Sequence, residues 1–458
     1  MTTTKEVVSD EKEKPAPLTA VRKKIFIKHV WGEFQKKRWL IFSFFLTLFY
    51  AVPFLRIEGR PAILFDIPAR KFHLFYTTLW PQDVYLLTLV LITSAIGLFF
   101  STAIVGRVWC GYLCPQTVYT SVFIEIERFI LGDSIRQKKL AKMPMKGAKL
   151  IKLSIRNIIW AIVAFSAGFT FLSYFIPNSE IVREISTGEL NGWSLFWLLF
   201  ITGLAFFDFG FFREQFCFIP CPYGRFQGAL QDPHSLVVTY DKAKGEGNPE
   251  KGIKPACINC NFCEIVCPTG IDIRNGAQFE CISCARCIDA CAIVQVKQGR
   301  SPDLIRYASE NSFHGKETKI IRPRILIYTV LLLSFISFIS YQLYSRKGFD
   351  FEVTRNRNLI YQQLGNGKIS NIYSLKVLNM SNKDASYSLK LKDIDAEIIT
   401  GSNPISVKAG GVEDVAVSLI ATQAKFPAKV TKFHFLLERT DENSQKTEVE
   451  EGSTFVVP

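Results

Sequence analysis

Two copies of one cysteine spacing stand out in this chain. Residues 257–268 read CINCNFCEIVCP and residues 281–291 read CISCARCIDAC. Both have the C-x2-C-x2-C-x3-C spacing with which bacterial ferredoxins bind 4Fe-4S clusters, and a 4Fe-4S cube exchanges one electron at a time. The spacing therefore predicts a relay of two cubes. The predicted ligands are Cys257, Cys260, Cys263, Cys267, Cys281, Cys284, Cys287 and Cys291.

The ligands of the two cubes are expected to cross over. Three thiolates on a tight loop can cap three iron corners, whereas the fourth cysteine, one helical turn further on, points toward the other cube. The first cluster is assigned to Cys257, Cys260, Cys263 and Cys291, and the second to Cys281, Cys284, Cys287 and Cys267. A pair of zinc sites is the alternative, although zinc motifs usually separate two C-x2-C pairs.

Two further cysteine pairs lie in apolar sequence, VWCGYLCPQ and QFCFIPCPY, and both read C-x3-C-P. An i, i+4 spacing puts two thiols on one helix face, while the proline disfavours helical geometry in the residue before it. Each pair therefore marks a helix end or kink. Thiolates there favour Cu(I), zinc or an additional iron–sulfur centre, or act as dithiols; buried inert cysteines are the alternative. The candidate catalytic and copper-binding residues are Cys110, Cys114, Cys217 and Cys221.

Five uncharged apolar runs, each near the roughly 20 residues that span a bilayer, must position these cysteines. The runs are Trp39–Leu55, Val84–Val105, Asn157–Pro177, Trp193–Phe207 and Ile325–Tyr344. Cys110 follows the second run and Cys217 follows the fourth, so all four thiols can converge at one membrane boundary. Asp208, at the same end of the fourth run, is either a functional carboxylate or a group that reaches the interface beside Arg213.

The net charge of +14 is concentrated beside these runs, which favours membrane lipid over nucleic acid as the partner of the basic residues. Residues 22–38 and 136–152 each carry seven Lys or Arg. By the positive-inside rule both segments are cytoplasmic, so the amino end lies inside and the carboxyl end outside. All 12 cysteines precede residue 292, at or near the cytoplasmic face, which argues against a disulfide framework.

These patterns divide the chain into predicted domains. Residues 1–38 form a cytoplasmic, partly disordered amino terminus, because residues 1–20 are charged and lack the apolar region of a signal peptide. A four-helix transmembrane region with the first C-x3-C-P pair occupies 39–212. A cytoplasmic segment with the second pair and the ferredoxin domain occupies 213–322, and a fifth transmembrane helix occupies 323–345.

The remaining residues, 346–458, are predicted to form a small periplasmic β-sandwich. Strand-like alternation and turn residues support it. The alternating segments are Tyr373–Asn379, Tyr387–Lys392, Asp414–Ile420 and Lys429–Leu437.

Longer segments around the cysteines carry a family resemblance. They are Trp80-Pro81-Gln82-Asp83, Gly106–Tyr112 with Cys114–Thr117, Arg213-Glu214-Gln215 with Cys217 and Cys221-Pro222-Tyr223, and Cys267–Arg274. In combination they resemble the cytochrome c oxidase accessory family, also called CcoG, FixG or RdxA, over nearly the whole chain. The fold expected is a multi-domain membrane protein: an α-helical bundle of about five spans, a two-cluster ferredoxin insert and a carboxyl-terminal immunoglobulin-like sandwich.

The resemblance also implies a function. It implies a bacterial inner-membrane polyferredoxin, needed to assemble cbb3-type cytochrome oxidase, that reduces Cu(II) to Cu(I) before copper is delivered. The expected partners are oxidase subunits or copper chaperones. The electron donor is unknown, and a homodimer is left open because a second chain could complete a half-site.

Three functions stay open on the sequence. The leading one is a cupric reductase, an oxidoreductase with a two-cube relay beside four membrane-boundary thiols. The second is a quinol-oxidising membrane ferredoxin of the nitrate-reductase accessory type, which shares the C-x3-C-P pairs. The third is a non-enzymatic assembly scaffold whose outer sandwich docks oxidase subunits. The sequence has no nucleotide-binding or flavin motif, so electrons are expected from a partner or a quinol.

Overall fold

The computed structural model describes residues 25–458 apart from 58, 189–190, 248–253, 277, 314–315, 357–359, 366, 382, 401–402, 424–428 and 441–445. Residues 1–20, predicted to be disordered, lie outside the described residues. The chain divides into two compact units, one up to Ile336 and one over Ser337–Pro458.

The helices are given in chain order. They are α1 Glu33–Ala51, α2 Val84–Val105, α3 Val108–Tyr112, α4 Pro115–Leu131, α5 Ser134–Lys142, α6 Ala148–Leu172, α7 Asn178–Thr187, α8 Gly192–Phe207, α9 Gln215–Phe218, α10 Pro222–Leu230, α11 Lys242–Glu246, α12 Phe262–Ile265, α13 Arg286–Lys297, α14 Glu310–Phe313 and α15 Pro323–Tyr344.

The strands fall before α2, around the ferredoxin segment and in the second unit. They are β1 Arg56–Ile57, β2 Arg60–Pro61, β3 Ile63–Asp66, β4 Lys71–Leu74, β5 Thr77–Leu79, β6 Val237–Tyr240, β7 Ile305–Ala308, β8 Phe349–Arg355, β9 Gln362–Leu364, β10 Lys368–Asn379, β11 Ala385–Lys392, β12 Glu397–Thr400, β13 Ile405–Val407, β14 Val412–Thr422, β15 Val430–Thr440 and β16 Lys446–Val456.

Five helical segments within the described residues are long and apolar enough to cross a membrane, which confirms the five predicted runs as helices. They are Glu33–Phe54, Pro81–Val105, Ala148–Leu172, Gly192–Phe212 and Pro323–Tyr344. The fourth extends past α8 because Asp208–Phe212 adds one wider helical turn.

Two of these helices begin six or more residues before the predicted apolar runs. The first begins at Glu33 instead of Trp39, and the third covers Ala148–Leu172 instead of Asn157–Pro177. A search for uncharged apolar runs ends each run at a charged residue. A helix, in contrast, can continue through a charged residue whose side chain has a partner. In α6, Lys149 donates to the carbonyl oxygen of Ala141 at 3.1 Å.

Helix α4 is an element that the apolar-run criterion did not find, since it carries charges as well as apolar residues. It packs on α6 and α8 through a core of Phe123, Trp160, Ala164 and Ala205. The indole of Trp160 also donates a hydrogen bond to the carbonyl oxygen of Phe123 at 3.1 Å. Because α4 begins at the proline of the first C-x3-C-P pair, this core also orients that pair.

The ferredoxin segment is closed by a two-stranded antiparallel sheet. Strand β6 pairs with β7, with Val237 opposite Ala308 and Tyr240 opposite Ile305. Both four-cysteine runs lie between these strands in the chain. Val238, Ile288 and Ile305 form part of the core against which several of the cysteines pack.

A side chain of the ferredoxin segment caps the first membrane helix. The carboxylate of Asp289, on α13, accepts hydrogen bonds from the backbone N–H groups of Phe34 at 3.1 Å and Gln35 at 2.8 Å. These groups have no partner inside α1, and a negative charge at a helix N-terminus is favourable. A glycine at position 32 suits the cap because a Cβ there would clash with the Asp289 side chain.

The Asp289→Ala substitution is expected to lower the free energy of unfolding by about 1–2 kcal/mol, because two buried N–H groups lose their acceptor. Unfolding in mixed micelles, followed by circular dichroism, measures it. The matched control is Asp303→Ala, since Asp303 is exposed and accepts from Ser301 at 2.7 Å. Equal loss in both variants would contradict the role of Asp289 as a helix cap.

The second unit is a sandwich of two antiparallel sheets. One has the order β12-β14-β10-β8 with β9 also on β10, and the other has the order β13-β11-β15-β16. Their inner faces share one core that includes Tyr373, Leu375, Tyr387, Phe433 and Phe435. The four predicted strand segments lie in β10, β11, β14 and β15, and the predicted all-β class of this part is confirmed.

Candidate metal centre

The two four-cysteine runs fold into the same loop. The residue before the second cysteine and the residue after it have positive φ in both copies. The values are 52° and 55° at Asn259 and Asn261, and 52° and 59° at Ser283 and Ala285. Left-handed geometry is uncommon for residues with a Cβ. Its repetition at equivalent positions means that the two loops share the same backbone turn around their second cysteine.

The fourth cysteine of each run lies with the other run. Cys291 is within electrostatic range of Cys257, Cys260 and Cys263. Cys287 is likewise in range of Cys284, Cys281 and Cys267. These two groups contain the members of the crossed ligand sets, and the assignment of each ligand stays a prediction.

Burial makes the free thiols poor acids. It raises the pKa of Cys263 to about 11 and the pKa values of Cys281 and Cys291 to about 12. Thiolates in such a site need a cation, and iron supplies one. Among the described residues, no three His, Cys, Asp or Glu side chains converge as they would around a single metal ion.

The second group surrounds a small, mostly apolar cavity. Its lining combines Cys267, Cys281, Cys284 and Cys287 with side chains such as Ile282. The donor set, the repeated loop and the low-polarity surroundings fit 4Fe-4S clusters, whose potentials depend on solvent access and hydrogen bonds to sulfur. One such bond runs from the Ser283 N–H to Cys281 Sγ at 3.4 Å.

Each C-x3-C-P pair forms a bend between a short helix and a longer one, here called an elbow. In the first elbow, Cys110 lies on α3 and Cys114 is the extended residue before α4, which begins at Pro115. Proline suits the first helical position because its missing N–H would have no partner there. The prediction that each pair marks a helix end agrees with this geometry.

The second elbow repeats the arrangement. Cys217 lies on α9 and Cys221 is the extended residue before α10, which begins at Pro222. Close packing of this bend requires Gly224, because a Cβ there would clash with the carbonyl oxygen of Cys217.

The two elbows meet. Cys217 is within electrostatic range of Cys110, Cys114 and Cys221. Gln227, fully buried on α10 of the second elbow, donates from Nε2 to Cys110 Sγ of the first at 3.2 Å. Burial raises the pKa of Cys110 to about 11 and also raises that of Cys217. The four thiols therefore form one partly buried group beside the membrane helices.

The first elbow packs directly on the loop of the second four-cysteine run. A Cβ at Gly111 would lie 2.8 Å from the carbonyl oxygen of Ile282 and 2.9 Å from that of Ser283. The Tyr307 hydroxyl donates to the same Ser283 oxygen at 2.6 Å, and Arg38 Nε donates to the carbonyl oxygen of Gly111 at 3.0 Å. Main chain therefore contacts main chain where the first elbow meets this loop.

Arg107 joins the same two groups through its buried guanidinium. The guanidinium donates to the carbonyl oxygen of Phe279 and, at 3.1 Å, to that of Gly224. It also lies 4.7 Å from the centre of the Phe279 ring. It is also within electrostatic range of both Cys110 and Cys281. A fixed positive charge near a thiol favours its negatively charged thiolate form.

Several residues of the site escaped the sequence reasoning, among them Arg38, Arg107, Gln227 and a buried ion group. In that group Glu127 accepts from Arg156 at 3.3 Å and from Arg213 at 2.6 Å. For the charged residues among these, the sequence signal that could have identified them was a charge inside an otherwise apolar stretch.

Asp208 does not pair with the Arg213 side chain. Its carboxylate accepts from Gln116 Nε2 at 3.0 Å, while the Arg213 guanidinium is bound to Glu127. Gln116 Nε2 also donates to the carbonyl oxygen of Arg213 at 3.0 Å, so Asp208 lies beside Arg213 without pairing with its guanidinium. Both sequence alternatives for Asp208 stay predictions.

Comparison with known proteins decides the family. A family model described as "IG-like fold at C-terminal of FixG, putative oxidoreductase" matches residues 339–458. A 4Fe-4S dicluster domain model matches residues 212–256 and 248–310, and a 4Fe-4S binding domain model matches 87–132. Protein RdxA of Cereibacter sphaeroides is 34% identical over 435 residues, covering 90% of this chain and 92% of that protein. This chain belongs to the FixG/RdxA family.

A second relative agrees with this membership. Nitrogen fixation protein FixG of Rhizobium meliloti is 31% identical over 425 residues, covering 83% of this chain and 81% of that protein. A crystal structure of a FixG-related protein from Vibrio parahaemolyticus is 29% identical and covers 24% of this chain and 97% of that chain, with a TM-score of 0.20. As a FixG/RdxA protein with these domains, the chain is a membrane-associated 4Fe-4S electron-transfer protein, and the expected immunoglobulin-like domain is confirmed.

The Gly111→Ala substitution tests the contact between the first elbow and the cysteine loop. Overpacking at this contact is expected to lower the free energy of unfolding by about 1–3 kcal/mol. The control is Gly97→Ala in α2, where an added Cβ meets nothing within 4 Å. That change is expected to be neutral or stabilising by up to about 1 kcal/mol. Unfolding in mixed micelles measures both, and the same effect in both would contradict the contact.

Proposed function

We propose that this FixG/RdxA protein passes electrons through its iron–sulfur centres to the four elbow thiols, where Cu(II) is reduced to Cu(I) for assembly of a cbb3-type cytochrome oxidase. The observation that carries the proposal is the contact of Gly111 with Ile282 and Ser283, which puts the elbow against the loop of the second cysteine group. The family resemblance supports the link to the oxidase.

The residues have distinct roles in this proposal. The crossed sets of Cys257, Cys260, Cys263 and Cys291, and of Cys281, Cys284, Cys287 and Cys267, hold the two clusters, which supply one-electron exchange when bound. The elbow thiols bind copper as substrate. Cu(II) gains one electron and becomes Cu(I), which soft thiolates hold more readily. Gln227 orients Cys110, and Arg107 fixes the spacing of the two sites.

An additional iron–sulfur centre at the elbow thiols is the second candidate. A specific observation favours it, because the 4Fe-4S binding domain model matches residues 87–132, which include Cys110 and Cys114. In that case the four thiols would hold a further centre of the relay and would not bind copper.

The placement of the protein is part of the proposal. The ferredoxin segment would face the cytoplasm of a bacterial cell, with the carboxyl-terminal sandwich in the periplasm. Exposed basic residues on α5, including Lys138, Lys139 and Lys142, support this orientation. Arg38 does not, because it is 1% exposed and its guanidinium is committed to Gly111 and Gln35. The copper chaperones, oxidase subunits and homodimer named above stay predictions.

Copper reduction can be measured without a physiological donor. Protein purified anaerobically is reduced with dithionite, freed of excess reductant, and mixed with Cu(II) and a Cu(I)-specific chelator. Wild type is expected to form Cu(I) rapidly. The Cys110→Ser/Cys217→Ser variant is expected to be at least tenfold slower, because two of the four thiols that receive Cu(II) are gone.

The control is the iron content and visible absorption of the variant, which must equal those of wild type for the slower rate to report the thiols. Wild-type rates in a variant with full iron content would reject the elbow as the site of copper reduction. Loss of iron in the variant would favour the additional iron–sulfur centre.

A further inference from the structure

The membrane helices line a half-open cavity that the proposed copper chemistry does not use. It has a volume of about 780 Å³ and is lined almost entirely by apolar side chains from the first, third and fourth spans and α4. Leu113 and Pro115, the two neighbours of Cys114, form part of its wall. The cavity therefore reaches the first elbow from the membrane side.

The walls are rich in aromatic rings. Tyr119 and Phe209 stack with their ring centres 4.9 Å apart and 9° between their planes, and Phe49 meets Tyr119 edge to face at 6.4 Å. Phe171 lines the same space. Flat aromatic surfaces favour a planar ring as the ligand.

Three side chains bring polar groups to the apolar wall, namely Tyr119, Tyr174 and Asp208. The Tyr174 hydroxyl donates to the carbonyl oxygen of Phe49 at 3.0 Å. Asp208 lies on the fourth span, and Gln116 Nε2 is the side-chain donor that the described structure gives its carboxylate. The Tyr119 hydroxyl donates to that of Tyr50 at 3.4 Å and can accept another hydrogen bond. An ionisable group within a membrane span is costly and points to a functional site. Hydrocarbon chains of lipid offer no partner to Asp208 or Tyr119.

We propose that this cavity binds a membrane quinol, which donates electrons to the relay. The inference deepens the proposed function and rests on it. The quinol ring fits between the aromatic walls, one hydroxyl donates to Asp208, and the isoprenoid tail leaves through the apolar side of the cavity. The head group then lies next to the elbow that contains Cys114.

The two electrons and two protons of quinol oxidation both have acceptors in this protein. The quinol loses two electrons and two protons and becomes the quinone. The two clusters, when bound, would take one electron each. Asp208 accepts the two protons in turn and releases each to water at this end of the fourth span.

A matched pair of leucines on α8 tests the site. Leu204 lines the cavity and is 57% exposed, whereas Leu199 is 58% exposed and does not line it. Protein in lipid nanodiscs is labelled with a photoreactive decylubiquinone, and labelled peptides are mapped by mass spectrometry. Wild type is expected to be labelled on the cavity wall. Labelling of the cavity wall is expected to be at least tenfold weaker in Leu204→Trp than in wild type. In Leu199→Trp it is expected to equal that of wild type.

Competition distinguishes a quinol site from a lipid-filled gap. Decylubiquinol is expected to displace the label, and decylbenzene, which has a ring and a tail but no oxygen atoms, is expected to leave it. Asp208→Asn is expected to weaken displacement by decylubiquinol about tenfold, because a charged acceptor is lost. Equal displacement by decylbenzene, labelling away from the cavity, or equal loss in both leucine variants would overturn the inference.

The outcomes also separate this inference from the proposed function. Copper reduction driven by dithionite bypasses the quinol, so Leu204→Trp should retain it while losing reduction driven by decylubiquinol. Dithionite-driven copper reduction without cavity labelling would leave the proposed function standing and overturn the quinol site. Cavity labelling without any copper reduction would leave the quinol site standing and overturn the proposed function.

Discussion

The contact on which this architecture depends is the packing of one elbow against one cysteine loop, main chain to main chain. A glycine at position 111 lets the carbonyl groups of Ile282 and Ser283 approach, and no side chain stands between them. Two buried guanidinium groups hold the two partners, since Arg38 donates to the carbonyl oxygen of Gly111 and Arg107 to that of Cys281 at 3.5 Å. This interaction turns a soluble-type ferredoxin segment and a set of membrane helices into one electron-transfer unit.

Buried charge keeps the elbows in place. Removing a carboxylate that serves two arginines would leave both cations uncompensated at a cost of several kcal/mol. Glu127 has this role, since it holds Arg156 of α6 and Arg213 at the end of the fourth span. Trp160 adds cation–π contact, with its ring centre 4.2 Å from the Arg156 guanidinium carbon. These contacts fix the end of the fourth span and therefore the position of the second elbow, which follows it in the chain.

Local patterns predicted the cysteine runs, the five spans and four of the strands, because spacing, length and alternation are properties of contiguous sequence. They located the elbows for the same reason, since Pro115 and Pro222 act on their neighbours. The pairing of Gly111 with the cysteine loop joins residues about 170 positions apart, and no periodicity reports such a contact. The start of α6 was also missed, because the charges of Lys149 and Arg156 are acceptable only where partners from other segments meet them.

In the proposed function the elbow thiols are a separate site beside a two-cluster relay. Anaerobic iron, sulfide and copper analysis with EPR tests this most directly, on wild type and on a variant in which Cys110, Cys114, Cys217 and Cys221 are all replaced by serine. About eight irons per chain are expected in both proteins, four for each cluster, with copper bound only by wild type. Loss of iron in the variant would make these thiols cluster ligands and would contradict a separate thiol site.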